Sequence, residues 1–185
     1  MVKAWYIDGE ELVTDEKVKR SERHLNPPQY ISLDELRHRT GVQCERVNVD
    51  KYDTDDSLQE ICREKGYQYS DILDIHPQRL ENYHDKLAAF YTEHMHPDDE
   101  VRLVLKGSAY FDVRDVDNNW IRIGVERGDM LNLVGGTYHR FTLDCDGYGK
   151  LFRLFGSKAD WSSFNRPADS HPARIAYVEK AVMGF

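Results

Sequence analysis

Phe90-Tyr91-Thr92-Glu93-His94-Met95-His96-Pro97-Asp98-Asp99-Glu100-Val101-Arg102-Leu103-Val104-Leu105 reads as a strand, a turn and a second strand. In extended chain, side chains at i and i+2 share a face. His94 and His96 therefore aim into one space, and Glu100 and Arg102 keep the same parity beyond the turn. Pro97-Asp98-Asp99 supplies the turn chemistry. Imidazole and carboxylate are ligand types for a divalent first-row metal. The competing reading is a polar strand end facing water.

The same texture runs on downstream. Val101–Leu105, Ala109–Arg114, Trp120–Val125, Met130–Leu133, Tyr138–Leu143 and Lys150–Phe155 are short apolar runs. Lys106-Gly107, Asp117-Asn118-Asn119, Arg127-Gly128-Asp129 and Gly135-Gly136 break them. Strands joined by tight turns favour antiparallel pairing, hence a mainly β fold, a β-barrel or double-sheet jelly roll. His139 follows the Gly-Gly turn and opens an apolar strand, so it can face the same cavity as His94 and His96. Three histidines and Glu100 would fill four positions around a metal. An octahedral ion would keep two adjacent positions for substrate or oxygen.

Upstream the signals are mixed. Ala4–Ile7 reads as a strand, and residues 14–30, with Pro27-Pro28, as a surface connection. Ser32 with Glu35 forms a capping box for a helix closed at Gly41. Val42–Val49 alternates like a strand. Thr54 or Asp55 caps a helix carrying Leu58, Ile61 and Cys62, which stops at Gly66. Ser70 caps a short run with Ile72 and Leu73. Pro77 opens a longer helix with Leu80, Tyr83, His84 and Leu87 on one face. The chain is expected to be a single domain, 1–185. Residues 1–89 form a helical and extended N-terminal annex, 90–156 the barrel strands, and 157–185 a C-terminal tail, α+β overall.

At 185 residues the chain can bury a sizeable core. A net charge of −8 argues against a nucleic-acid partner. No stretch has the length of a membrane span, and the N-terminus charges too soon for a signal peptide. Cys44, Cys62 and Cys145 are widely spaced, so reduced thiols in a reducing compartment are expected, the cytoplasm with the nucleus also open. A monomer is expected, and a protein partner on the annex stays compatible.

The metal-site residues resemble the cupin superfamily, with its motifs G(X)5HXH(X)3–4E(X)6G and G(X)5PXG(X)2H(X)3N. His94, His96, Glu100 and Gly107 match the first in spacing, with Ala88 at the leading glycine. Gly128, Gly136 and His139 match the second, with Val134 for proline and Leu143 for asparagine. Within cupins the chain resembles the acireductone dioxygenases of methionine salvage over nearly its whole length. Ala4-Trp5-Tyr6, Leu33-Asp34-Glu35-Leu36, Tyr110-Phe111-Asp112-Val113-Arg114, Tyr138-His139-Arg140-Phe141-Thr142 and Arg166-Pro167 carry the likeness.

The resemblance implies that His94, His96, Glu100 and His139 bind one Fe(II) or Ni(II). It implies 1,2-dihydroxy-5-(methylthio)pent-1-en-3-one and O2 as substrates. With iron the expected products are 4-methylthio-2-oxobutanoate and formate; with nickel, 3-(methylthio)propanoate, carbon monoxide and formate. Arg102 is placed to offer a charge-assisted hydrogen bond to a substrate oxygen. Phe90 and Phe141 have the parity to wall a dry cavity, and Arg166 is a candidate at its mouth. Glu93 and Arg140 point away and form structural pairs, and Asp98 and Asp99 are solvated. Two rivals stay open, a non-catalytic metal- or ligand-binding cupin and a cupin sugar isomerase. The isomerase needs a spare base, and no carboxylate or lysine stands out beside the ligands.

Overall fold

The computed structural model describes residues 2–9, 13–156 and 162–185. In chain order, β1 (Lys3–Tyr6), α1 (Glu16–Lys19), β2 (Tyr30–Ile31), α2 (Leu33–Thr40) and β3 (Gln43–Arg46) come first. Next are α3 (Ser57–Lys65), β4 (Tyr69–Ile75), α4 (Tyr83–Tyr91), β5 (His94–Met95) and β6 (Glu100–Arg114). The chain closes with β7 (Trp120–Glu126), β8 (Asp129–Leu133), β9 (His139–Leu143), β10 (Gly149–Phe155), β11 (Phe164–Asn165) and α5 (Pro172–Met183). Every strand pairing is antiparallel. This is the mainly antiparallel β architecture that the alternating runs foretold.

One strand organises it. The first half of β6 pairs with β10 and β8, and its second half with β7 and β9. Two sheets, β4-β10-β6-β8-β3 and β11-β5-β9-β6-β7-β1-β2, thus share β6. The sequence reading split β6 into two strands at Lys106-Gly107, but the backbone runs through. The register shifts between Lys150 and Leu151, opposite Val104–Lys106, and Gly107 follows with φ 74°. A Cβ at Gly107 would lie 2.1 Å from the Tyr148 carbonyl oxygen, so glycine is required at this bend. Across it the inward parity changes. Val104 joins Ala109, Phe111 and Val113 in the core between the sheets, and Val101, Leu103 and Leu105 pack with Leu58 of α3 on the other face.

The annex is more strand-like than its sequence suggested. The Ser70–Leu73 run is β4, paired along all seven residues with β10. Its Leu73 and Ile75 obey a period of two, which a four-residue window does not separate from a helical turn. The 14–30 connection contains α1, capped by Asp15, and β2, paired with β1. α2 forms as expected, with Ser32 Oγ accepting from Glu35 N at 3.1 Å and Gly41 at φ 75°. The helix after Pro77 begins only at Tyr83 and extends through Phe90, leaving β5 two residues long.

The N-terminal segment covers a buried ion cluster on the outer face of the β6–β7–β9 sheet. Asp112 accepts Arg122 Nε at 2.7 Å and Nη2 at 2.9 Å, and Arg140 Nε at 2.8 Å. Arg122 donates onward to the carbonyls of Lys19 and Ser21. Nearby, Glu93 takes Arg114 and Arg166 at 3.0 and 2.8 Å. Burial opposes ionisation of Asp112 and Glu93, but their arginine partners outweigh it and hold both carboxyls below the ordinary range. A depressed carboxylate contributes stability above its unfolded pKa of about 4 and loses it as pH falls through the folded value. Urea midpoints are therefore expected to drop steeply as pH falls below about 4. A midpoint unchanged at pH 3 would contradict the pairing.

Candidate metal centre

β5 and β9 lie side by side with His94 opposite His139, which carries His139 to the HxH pair. The Pro97–Asp99 turn brings the chain back to start β6 at Glu100. Two contacts hold this corner: Gly136 N donates to the His96 carbonyl at 2.8 Å and Gly135 N to Asp99 Oδ1 at 2.9 Å. Asp99, expected to be solvated, thus braces the loop. A Cβ on Gly135 would lie 2.3 Å from the Pro97 carbonyl oxygen, so no larger residue fits the corner.

One nitrogen from each of His94, His96 and His139 lies within 4.8 Å of the others. Each Nδ1 is already engaged: His94 with the Thr92 carbonyl at 2.7 Å, His96 with Ser162 at 2.9 Å and His139 with Thr137 at 2.9 Å. A carbonyl accepts only, so each Nδ1 carries the proton and each neutral Nε2 presents a lone pair. Such outer bonds are how proteins orient metal-binding imidazoles. Burial, then the neighbouring His139, pushes His94 down to about 4, so its ring stays neutral at physiological pH. Burial lowers His96 as well, against the pull of Glu100.

Glu100 completes the cluster. Its Oε2 lies 2.8 Å from His139 Nε2 and 3.4 Å from His96 Nε2. Among the described residues this buried oxygen has no hydrogen-bond donor. Burial opposes its charge, yet the Arg102 guanidinium beside it holds the carboxyl well below its usual range. A carboxylate lone pair facing two imidazole lone pairs is repulsive unless a cation lies between them. The donor set therefore fits a divalent metal, N3O in type.

Arg102 places its Nη2 3.1 Å from Glu100 Oε1 and donates Nη1 to the Val101 carbonyl, so it fixes the carboxylate as well as edging the cavity. Phe90 and Phe141 meet edge to face at 5.9 Å and wall that cavity, of about 500 Å³, although Phe90 arrives from α4 and not from a strand. Arg166 is not brought to the site. It reaches Glu93, Asn118 and the face of Tyr138. Arg140 and Glu93 make the structural pairs expected of them.

Lys86, Leu73, Phe111, Leu151 and Arg153, none of them a candidate on sequence grounds, also line the cavity. Leu151 and Arg153 alternate on β10, a visible signal, but only pairing tells which face turns inward. Lys86 is one turn before Phe90, which shows only once Phe90 is placed on a helix.

A family model described as the ARD/ARD' family matches residues 6–163. The chain belongs to the ARD/ARD' family. Its relatives within the family include an acireductone dioxygenase of Ixodes scapularis, 47% identical over 185 residues, covering all of this chain and 99% of that one. One of Gallus gallus is 47% identical over 179 residues, 97% of this chain and 96% of that one. Among solved structures, an acireductone dioxygenase from Bacillus anthracis, with a cadmium ion in its active center, has TM-score 0.62 at 22% identity. The match covers 75% of this chain and 93% of that chain, and it bears on the fold alone. No helix among the described residues is long and apolar enough to cross a membrane.

Proposed function

We propose that this chain is an acireductone dioxygenase. It cleaves 1,2-dihydroxy-5-(methylthio)pent-1-en-3-one with O2, using one divalent metal held by His94, His96, Glu100 and His139. The observation that carries the reading is the convergence of three imidazole nitrogens and of Glu100 Oε2, buried without a donor among the described residues, on one wall of a cavity. Its family relatives named acireductone dioxygenase support it.

When bound, the metal supplies Lewis acidity and a template on which substrate oxygens and O2 are brought together. The chain's own groups do the rest. Carbonyls of Thr92, Ser162 and Thr137 lock the three rings in one tautomer. Arg102 holds Glu100 and offers charge-assisted hydrogen bonding to an anionic substrate oxygen. Phe90 and Phe141 exclude water, which strengthens electrostatic contacts inside. Leu73, Phe111 and Leu151 give the methylthio chain an apolar surface. An ene-diolate is electron-rich enough to reduce O2 itself, so the chain need supply no redox side chain.

Which metal is resident sets the products in this reading. Protein loaded with Fe(II) is expected to give 4-methylthio-2-oxobutanoate and formate. Ni(II) is expected to give 3-(methylthio)propanoate, formate and carbon monoxide. Carbon monoxide trapped by a haem protein distinguishes the two. No loss of acireductone with either metal would contradict the proposal. The reading also places the protein in a reducing compartment, cytoplasmic or nuclear, where its free cysteines stay thiols.

A further inference from the structure

Lys86 lies on the face of α4 that also presents Ala89 and Phe90 to the cavity. Positions i, i+3 and i+4 share a helix face, so all three are set by one helix orientation. Phe90 against Phe141 fixes that orientation. Two further cations edge the same cavity, and each is matched to an acid: Arg102 to Glu100 at 3.1 Å, and Arg153 to Asp71 through two bonds of 2.7 Å. Lys86 is half-buried, and among the described residues no carboxylate forms an ion pair with it. A cavity whose arginines are neutralised in pairs thus keeps one surplus positive charge, at the end of a flexible four-carbon stem.

We propose that Lys86 is a substrate-binding residue, its ammonium meeting an anionic oxygen of the bound ene-diolate on the side opposite Arg102. This rests on the acireductone dioxygenase reading and adds a residue to it. Arg102 is held by Glu100 and the Val101 carbonyl, so its charge is spent largely on orienting the carboxylate. Lys86 is the mobile partner that closes on the anion and is released with the product. A charged side chain that only solubilised α4 would not influence affinity for a small anion.

The test uses Lys86→Met, which keeps the stem and removes the charge, and Lys86→Arg, which restores the charge. The dissociation constant for acireductone is measured without oxygen on Ni(II)-loaded protein, together with metal content and steady-state kinetics. Lys86→Met is expected to weaken anaerobic binding and raise KM by about 10- to 100-fold, the range for one charge-assisted hydrogen bond. Metal content is expected to stay unchanged, kcat to stay within about threefold, and Lys86→Arg to recover most of the affinity. Lys86→Met binding as tightly as wild type, in a preparation whose wild type is active, overturns the Lys86 assignment alone. Loss of metal in Lys86→Met, or no recovery in Lys86→Arg, overturns it too. Wild-type protein that neither binds nor consumes acireductone overturns this assignment together with the activity.

Discussion

His139→Ala is expected to lose bound metal and dioxygenase activity together while the chain still folds. His139 Nε2 lies 2.8 Å from Glu100 Oε2, and its ring is held from behind by the Thr137 carbonyl. Losing an outer partner of a metal ligand costs 10- to 100-fold in affinity, so losing the ligand itself should cost about 100-fold or more. The fold should survive, because β9 keeps its pairing to β6 through Arg140, Phe141, Thr142 and Leu143. Metal analysis after dialysis, with circular dichroism, reads both effects. A variant that keeps full metal occupancy would show that His139 is not a ligand.

Asp112→Ala is expected to be among the most damaging substitutions away from the metal. Asp112 is 1% exposed, and its carboxylate is shared by Arg122 and Arg140, themselves 0% and 8% exposed. Removing it takes away the carboxylate that both buried guanidinium groups share. Breaking a buried pair in this way costs about 3–5 kcal/mol. That is a large part of the roughly 5–15 kcal/mol stabilising a typical domain. Urea unfolding at pH 7 is the check. A loss below about 1 kcal/mol, the level of an exposed pair, would mean that water reaches the cluster.

The clustering of His94, His96 and Glu100 was legible in the sequence through strand parity, and His139 joins it through the pairing of β5 with β9. Parity failed where backbone irregularity intervened. The bend at Gly107 reverses the inward side of β6, so no single alternation runs from Glu100 to Arg114. Phe90 reached the expected cavity from the wrong element. The Leu80, Tyr83 and Leu87 pattern predicted a helix, but its end lay beyond the strand start that His94 suggested. Arg166 illustrates the opposite failure. Its loop lies near the site, since Asn165 pairs with His94, yet its charge is captured by Glu93. Such choices between competing partners depend on distances that no local pattern encodes.

The C-terminal tail held a helix that its sequence reading did not propose. His171 caps α5 by accepting from Ala173 N at 3.2 Å, with Pro172 beside it in the first turn. That is a helix-start signature. α5 then backs the Gly-Gly corner, since a Cβ on Gly136 would meet the Ala173 carbonyl oxygen at 2.4 Å. Residues 157–161 of the expected tail lie outside the described residues.

The most direct measurement of the proposed activity is formate released per O2 consumed when acireductone is added to protein carrying one Fe(II) or Ni(II) per chain. Formate and O2 are expected in equal amounts with either metal, and only the slow background oxidation with His139→Ala. Acireductone loss no faster with metal-loaded wild type than in buffer, or O2 uptake without formate, would contradict that activity.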